Sequence, residues 1–520
     1  MPVLLLAALL VAGAGDPGAD LRASVRAYRS AHEVEIVREL ADLLAIPNLA
    51  SDRVNIERNA EAVSKAFERR GVRMERLRVP EAPPAVYGEL PAPGARRTVL
   101  FYAHYDGQPV HPSEWSGEPW KPVLRDAPLR DGGKEVAWET LRAPIPPEWR
   151  LYARSASDDK APIVGLLAAL DALKASGRRP TVNLKFFFEG EEEAGSPHLA
   201  AILSQYAGRL SGDVWLLLDG PVHQTRRMAL YFGARGITDA ELTLYGPSRP
   251  LHSGHYGNWA VNPIAALVRL LGSMRDDEGR ILVPGFLDDV RPASEAEKRA
   301  LAQSPDVDAE LRRTLQLGRT EGDGAPLLER LMLPAMNLRG ISGGAVGAGA
   351  TNSIPTEATA SIDFRLVPDQ TPDSVHERIE QFLRAQGFTI VREDPSPEVR
   401  RAAARIARLV WGAGYPPSRT PMDGPVSRAV IRTVEQSAGA PIVLLPTLGG
   451  SVPMYLFTDL LKTPVVGVPI VNHDNDQHAA NENLRLQNLW DGIEVYAALM
   501  TRLAPVWQEE IAPPGRTARR

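Results

Sequence analysis

The order of its apolar runs constrains this chain most. Short β-like runs at 98–103, 181–188 and 214–218 alternate with an apolar helical segment at 161–175, closed by Gly177. Strands alternating with helices form a mostly parallel sheet covered on both faces. The expected fold class is therefore α/β, a mostly parallel mixed sheet flanked by helices. In such sheets ligands gather outside the carboxyl ends of the strands. His104, the residues from Glu189 to Glu193, and Asp219 each follow one of these runs.

Other segments fill in the outline. Amphipathic helical patterns cover 31–44 and 55–70, and 115–149 reads as a long surface excursion rich in Pro, Gly and charge. From Gly236 the pattern changes. An alternating run at 237–245, a helix at 262–271, a polar irregular stretch at 274–339, a strand centred on Ala358 to Leu366, a helix at 373–385 and a strand at 388–391 suggest an inserted α+β domain. After Pro395 the α/β character returns, with a helix at 400–411, strands at 442–445 and 465–468, and a last helix at 486–503. At 520 residues, two domains are expected. Their boundaries read as 22–235 and 395–508 for the larger domain, 236–394 for the insert, and a disordered tail at 509–520.

The N-terminal segment 1–18 resembles the apolar region of a secretory signal, with small residues near Ala14 but no Lys or Arg ahead of it. It is too short for a stable membrane anchor. The expectation is a secreted or periplasmic protein, or otherwise a cytoplasmic one. A net charge of −5 gives no basic excess for nucleic acid. With no Cys, thiol catalysis, disulfides and Cys-ligated zinc are excluded. Any metal must sit on His, Asp and Glu, a donor set suited to Zn²⁺, Mn²⁺ or Co²⁺.

Five clusters carry candidate chemistry. His104 closes a strand-like run, and Asp106 points to the same side, the pattern of a metal ligand and its orienting carboxylate. Alone, it equally describes a His capping a strand end. Asp158 and Asp159 stand directly before a helix, where acids serve as caps, as ligands, or as both. Glu191, Glu192 and Glu193 follow Phe186, Phe187 and Phe188, and three such acids repel one another unless cations are near. Asp219 closes a strand, where a lone Asp is commonly a turn residue. Residues 472–482, which include His478, form a loop dense in acceptors before the last helix.

Taken in order, His-x-Asp-Gly-Gln-Pro at 104–109, Asp-Asp-Lys at 158–160, Glu-Glu-Ala-Gly-Ser at 192–196, His-Ser-Gly at 252–254 and the late His478 resemble the dinuclear zinc metallopeptidases that include carnosinase-type dipeptidases, aminoacylases and carboxypeptidase G. The resemblance implies two divalent metal ions per chain, Zn²⁺ first, with Mn²⁺ or Co²⁺ as alternatives. One would take His104, Asp158 and Asp219. The other would take Asp158, Glu193 and His478, with Asp158 bridging. Asp106 would orient His104, and Glu192 would be the general base for a water held between the metals. Three carboxylates and a bridging hydroxide offset two divalent cations, so a closed site stays near neutral. The family also carries a cis peptide after the bridging Asp, here Asp158–Asp159.

The same resemblance makes the insert a lid and dimerisation domain. His252 would be lent across a homodimer interface to the transition-state oxyanion. Asn352, Arg365 and Ser451 would hold substrate, with Arg365 suited to gripping a carboxylate. The implied activity is hydrolysis of a peptide bond beside a free carboxylate, by an exopeptidase or dipeptidase. Deacylation of N-acyl amino acids stays open, because both substrates place an amide beside a carboxylate. A non-catalytic binding protein on the same fold is a third reading, disfavoured because every ligand and the base are present. The chain departs from the pattern at Ala153-Arg154-Ser155, where the family has Gly-Arg-Gly, and at Ala161, where it has Gly.

Overall fold

The computed structural model describes residues 17–512. The signal expected at 1–18 therefore lies almost wholly outside the described residues; a helix, Pro17–Ala31, opens the described chain. Two compact units emerge. The first combines Met1–Leu230, Asp423–Ile442 and Val466–Arg520, and the second combines Tyr231–Met422 with Val443–Val465.

Within the first unit the main sheet runs in the order Arg73–Leu77, Ala85–Leu90, Asn183–Glu189, Thr98–His104, Val214–Leu217, Val465–Gly467, Ala229–Tyr231. Thr98–His104 is parallel to both neighbours, with His104 opposite Glu189. The strands on the Arg73 side are antiparallel. This is the mixed α/β sheet with a parallel centre that the alternating runs imply.

Its central strands are buried on both faces, which is why they read as continuous apolar runs. Phe67, from helix Arg53–Glu68, packs on Phe186 and Phe188 at ring distances of 4.8 and 5.1 Å. Phe187 meets Trp215 edge-on at 5.8 Å on the other face. Each such side chain taken from water contributes roughly 2 kcal/mol, so these rings pin the strand ends that carry the polar clusters. Helix Lys160–Ala175 is buried along most of its length and packs on helix Leu486–Ile511.

The expected excursion at 115–149 is partly ordered as sheet. Val123–Arg125 and Glu135–Val136 join Arg150–Tyr152 and Asn483–Arg485 in a four-stranded antiparallel set. The last helix extends past the expected end at 503 and through 509, where a disordered tail was expected. Pro505 suggests a stop in sequence, but Val506 and Trp507 are buried and Arg97 lies 4.7 Å over the Trp507 ring, so the helix continues to Ile511. Residues 513–520 lie outside the description.

The second unit is a five-stranded sheet in the order Ala335–Ser342, Glu357–Leu366, Gly236–Tyr245, Ile406–Trp411, Thr389–Val391. Helices Pro263–Met274 and Pro372–Ala385 cover it, around a core that includes Leu242, Leu267, Ile362, Phe364 and Leu383. The expected boundary at 394–395 is corrected here. The helix ends at Ala402, and Ile406–Trp411 is a strand, antiparallel to Gly236–Tyr245 and parallel to Thr389–Val391. Its Ala407 and Leu409 are buried while Val410 is exposed, a period-two pattern too short to outweigh the preceding helical run. Ala335–Ser342, read as irregular, is an edge strand whose Asn337, Arg339 and Gly340 are exposed. Among the described residues no helix is long and apolar enough to cross a membrane.

Candidate metal centre

Three adjacent parallel strands deliver polar groups to one edge of the first unit's sheet. His104 is the last residue of its strand, Glu189 ends the next, and Asp219 follows the third. After Glu189 the chain turns through Glu191, Glu192 and Glu193. The Asp106 carboxylate takes this turn directly, accepting from the N–H of Glu192 (3.1 Å) and of Glu193 (3.0 Å). Glu191, which had no role in the sequence reading, is buried and accepts from the N–H of His198 (2.9 Å), anchoring the far side of the turn.

Asp158 is the hub. Its Oδ1 lies 2.8 Å from His104 Nε2, and its Oδ2 lies 3.1 Å from His478 Nε2. His478 Nε2 is also 3.3 Å from Glu193 Oε2. The ligand atoms of His104, Asp158 and Glu193 lie within 4.8 Å of one another, and so do those of His104, Asp159 and Asp219. Asp159, a neighbour in sequence of the expected ligand, thus joins the cluster as well. The Asp158–Asp159 peptide is cis. Gln108 Nε2 donates to Glu193 Oε2 (2.7 Å), and Gln477 Nε2 to Asp158 Oδ2 (3.3 Å). His104 Nδ1 is buried without a hydrogen bond; the nearest Asp106 oxygen is 3.4 Å away.

Electrostatics describe a place built for cations. Burial pushes the Asp219 carboxyl up to about 6 and that of Glu193 up to about 7, with Asp158 adding to both. Burial also raises Glu192 well above the usual carboxylate range, against the opposing pull of His104. Hydrogen bonding to Asp158 lifts His478 to about 9. Burial opposes ionisation of Asp158, but His104 and His478 together hold it below its ordinary range. Lys160, two residues beyond Asp158, turns its side-chain nitrogen to the carbonyls of Leu43 (2.9 Å) and Ile46 (3.3 Å). Carboxylates crowded with two imidazoles in this way fit one or more divalent cations, whose charge would relieve the repulsion.

This predicts a pH signature. The raised Asp219 and Glu193 stabilise the metal-free fold while protonated, and that contribution is lost as pH rises through about 6 and about 7. His478, raised to about 9, likewise gives up its contribution as pH climbs from the ordinary imidazole range through about 9. Bound cations favour the ionised carboxylates and neutral imidazole, so metal stabilises most where protons no longer compete. The gap in melting temperature between loaded and chelator-treated protein should widen by on the order of 5 °C from about pH 5.5 to about pH 8. Equal gaps at the two pH values would argue that the cluster holds no cation.

The remaining candidates lie in the second unit. His252 pairs with Ser353 in a short antiparallel ladder, and the Asn352 carbonyl accepts from Ser253 N–H (2.9 Å), so His252 and Asn352 are neighbours. His252 is exposed, and its Nδ1 accepts from Gly254 N–H (3.1 Å), which places the ring proton on Nε2. Arg365 Nη1 donates to Ser451 Oγ (2.9 Å) and its Nε to Asp363 Oδ2 (3.2 Å), so two side chains fix the guanidinium.

Residues 100–502 match the model of peptidase family M20/M25/M40. Over 506 residues the chain is 26% identical to the Cys-Gly metallodipeptidase dug1 of Schizosaccharomyces pombe, covering 91% of this chain and 96% of that protein. It is also 26% identical over 513 residues to the Beta-Ala-His dipeptidase of Homo sapiens, covering 94% of each. The crystal structure of the M20 family metallo-carboxypeptidase Sso-CP2 from Sulfolobus solfataricus aligns at a TM-score of 0.70 and 27% identity, over 90% of this chain and 98% of that one. The five ordered motifs and a family match across most of the sequence agree: the chain belongs to peptidase family M20/M25/M40.

Proposed function

We propose that this hydrolase is a metal-dependent dipeptidase that cleaves a peptide bond beside a free carboxylate. One observation carries the reading: Asp158 divides its two oxygens between His104 and His478, and Glu193 lies on the His478 side. That division supports two cations sharing Asp158, the first held with His104 and Asp219, the second with Glu193 and His478. Imidazole and carboxylate donors suit Zn²⁺, with Mn²⁺ and Co²⁺ as alternatives. When bound, such ions polarise the scissile carbonyl and acidify water.

The chain's own groups divide the remaining work. Glu192 takes the proton of the attacking water and passes it to the leaving nitrogen. Asp106 holds the turn that presents Glu192 and faces His104. Arg365, fixed by Asp363 and Ser451, grips the substrate carboxylate, with Asn352 as a further polar contact. His252, with its proton on Nε2, donates to the developing oxyanion. Its exposure supports a role completed by a second copy. The edge strand Ala335–Ser342 carries exposed Leu338 and Ile341, and Trp259, Val268 and Val346 are also exposed, as a dimer interface would require. The apolar run at 3–12 favours export.

The test is a panel of dipeptides, their C-terminal amides and N-acetyl amino acids, run on protein stripped of metal and then reloaded, with mass measured in solution. Dipeptides should exceed both other groups by at least about 10-fold in kcat/KM, stripped protein should be inactive, and the mass should be that of a dimer. Preference for N-acetyl substrates would make it a deacylase. A fully active monomer would remove the second copy from the site.

A further inference from the structure

We propose that Glu482 is a positioning residue that locks the Asp158 turn and the His478 loop into one fixed relation. The inference rests on reading Asp158 and His478 as metal ligands. Glu482 is fully buried and is no part of the ligand set. Its Oε1 accepts from the N–H of Ser157 and of Asp158, both at 2.9 Å. Its Oε2 accepts from Ser155 N–H (2.9 Å) and Arg154 Nη1 (2.8 Å). Four donors thus converge on one carboxylate, the number a carboxylate's two oxygens can satisfy. Three of them are backbone groups of a single turn, turned inward by Ser155 in the left-handed region at φ 63°. Such a turn is an anion-binding concavity, and here the anion comes from the loop that carries His478.

The neighbouring contacts make the same link. Ala153 N–H donates to the Glu482 carbonyl (3.2 Å), and Ser157 Oγ to the Asn483 carbonyl (2.7 Å). Asn483 pairs with Tyr152 in the antiparallel ladder. Arg150 Nη1 donates to both the Asp474 carbonyl (3.0 Å) and Asn483 Oδ1 (2.8 Å), tying together the two ends of the His478 loop. Backbone pairing sets the strands in register, but only Glu482 reaches the amide of Asp158 itself among these groups. Losing its charge would leave the register in place but free the Asp158 amide, and the distance across the Asp158 oxygens would no longer be fixed.

Glu482→Gln tests this, because its amide NH₂ must face two of the four donors. Metal affinity is read by equilibrium dialysis against Co²⁺, alongside the visible spectrum of the Co²⁺-loaded protein. Apparent affinity should fall roughly 10–100-fold, the Co²⁺ bands should shift, and excess Co²⁺ should restore occupancy while KM for a dipeptide stays near that of the parent. Glu482→Asp, which keeps the charge, should recover part of the affinity. If Glu482→Gln does not fold because Arg154 is left unpaired, the charge-balanced Arg154→Met/Glu482→Gln pair carries the same comparison. Parental affinity and spectrum in a folded variant would overturn the proposal. Asp158→Asn is the control: if it keeps its full metal content, the ligand reading itself fails. If it loses metal while Glu482→Gln does not, only the positioning role fails.

Discussion

Glu192→Ala should lower kcat by about 10³- to 10⁴-fold while leaving the metal content of the parent unchanged. The two readouts separate because the role proposed for Glu192 is proton transfer and not metal binding. Burial lifts its carboxyl well above the usual range, bringing it toward the pH at which a general base and acid must work. Its backbone is held by Asp106, so truncating the side chain leaves the turn in place. Glu192→Gln keeps the volume and should lose the same activity, which separates proton transfer from packing. Turnover within about 10-fold of the parent in either variant would move the base elsewhere, since a positioned base is worth more than that. Loss of metal would instead reassign Glu192 as a ligand.

Asp158→Asn should have the widest consequence. On the proposed assignment it replaces a shared carboxylate with an amide whose nitrogen would repel a cation on one side. Metal content should fall below one ion per chain, activity should drop by at least about 10⁴-fold, and the metal-dependent rise in melting temperature should vanish. His104→Ala and His478→Ala each remove a donor from one side of Asp158 only, so a single ion should remain in each. An Asp158→Asn protein that still holds two ions would show that the two histidine sides do not share this carboxylate.

The parallel centre of the sheet was legible because strands buried on both faces must be apolar along their length, as Phe186, Phe187 and Phe188 are. The ligand candidates were legible because His104, the Glu turn and Asp219 interrupt that pattern at the same end of each strand. Where the sequence misled, the determining contact lay outside the local pattern. Ile406–Trp411 is a strand because Gly236–Tyr245 offers it an edge, and no period in six residues announces that. The role of Glu482 is invisible in sequence because it acts on backbone N–H groups, which every residue has. Asp106 looked like a partner of His104 alone, yet its oxygens take the amides of the Glu turn. Ser155 stands where the family places Gly and still takes the left-handed conformation, at a cost of roughly 1 kcal/mol, with Oγ accepting from buried Asn48 (2.9 Å). Gly107 leaves room for it: a Cβ there would lie 2.4 Å from that oxygen.

The first unit is assembled from three separate stretches of chain, the last of them beginning at Val466. His478 and the Glu482 that steadies Asp158 both belong to that final stretch. A ribosome therefore delivers His104, Asp158, Glu193 and Asp219 long before it delivers the groups that complete their surroundings. Until then these acids have neither their second imidazole nor the clasp on the Asp158 turn. On the proposed assignment, hydrolytic capacity waits for the stretch that carries His478. Any product truncated before His478 would lack one of the proposed ligands and the Glu482 clasp.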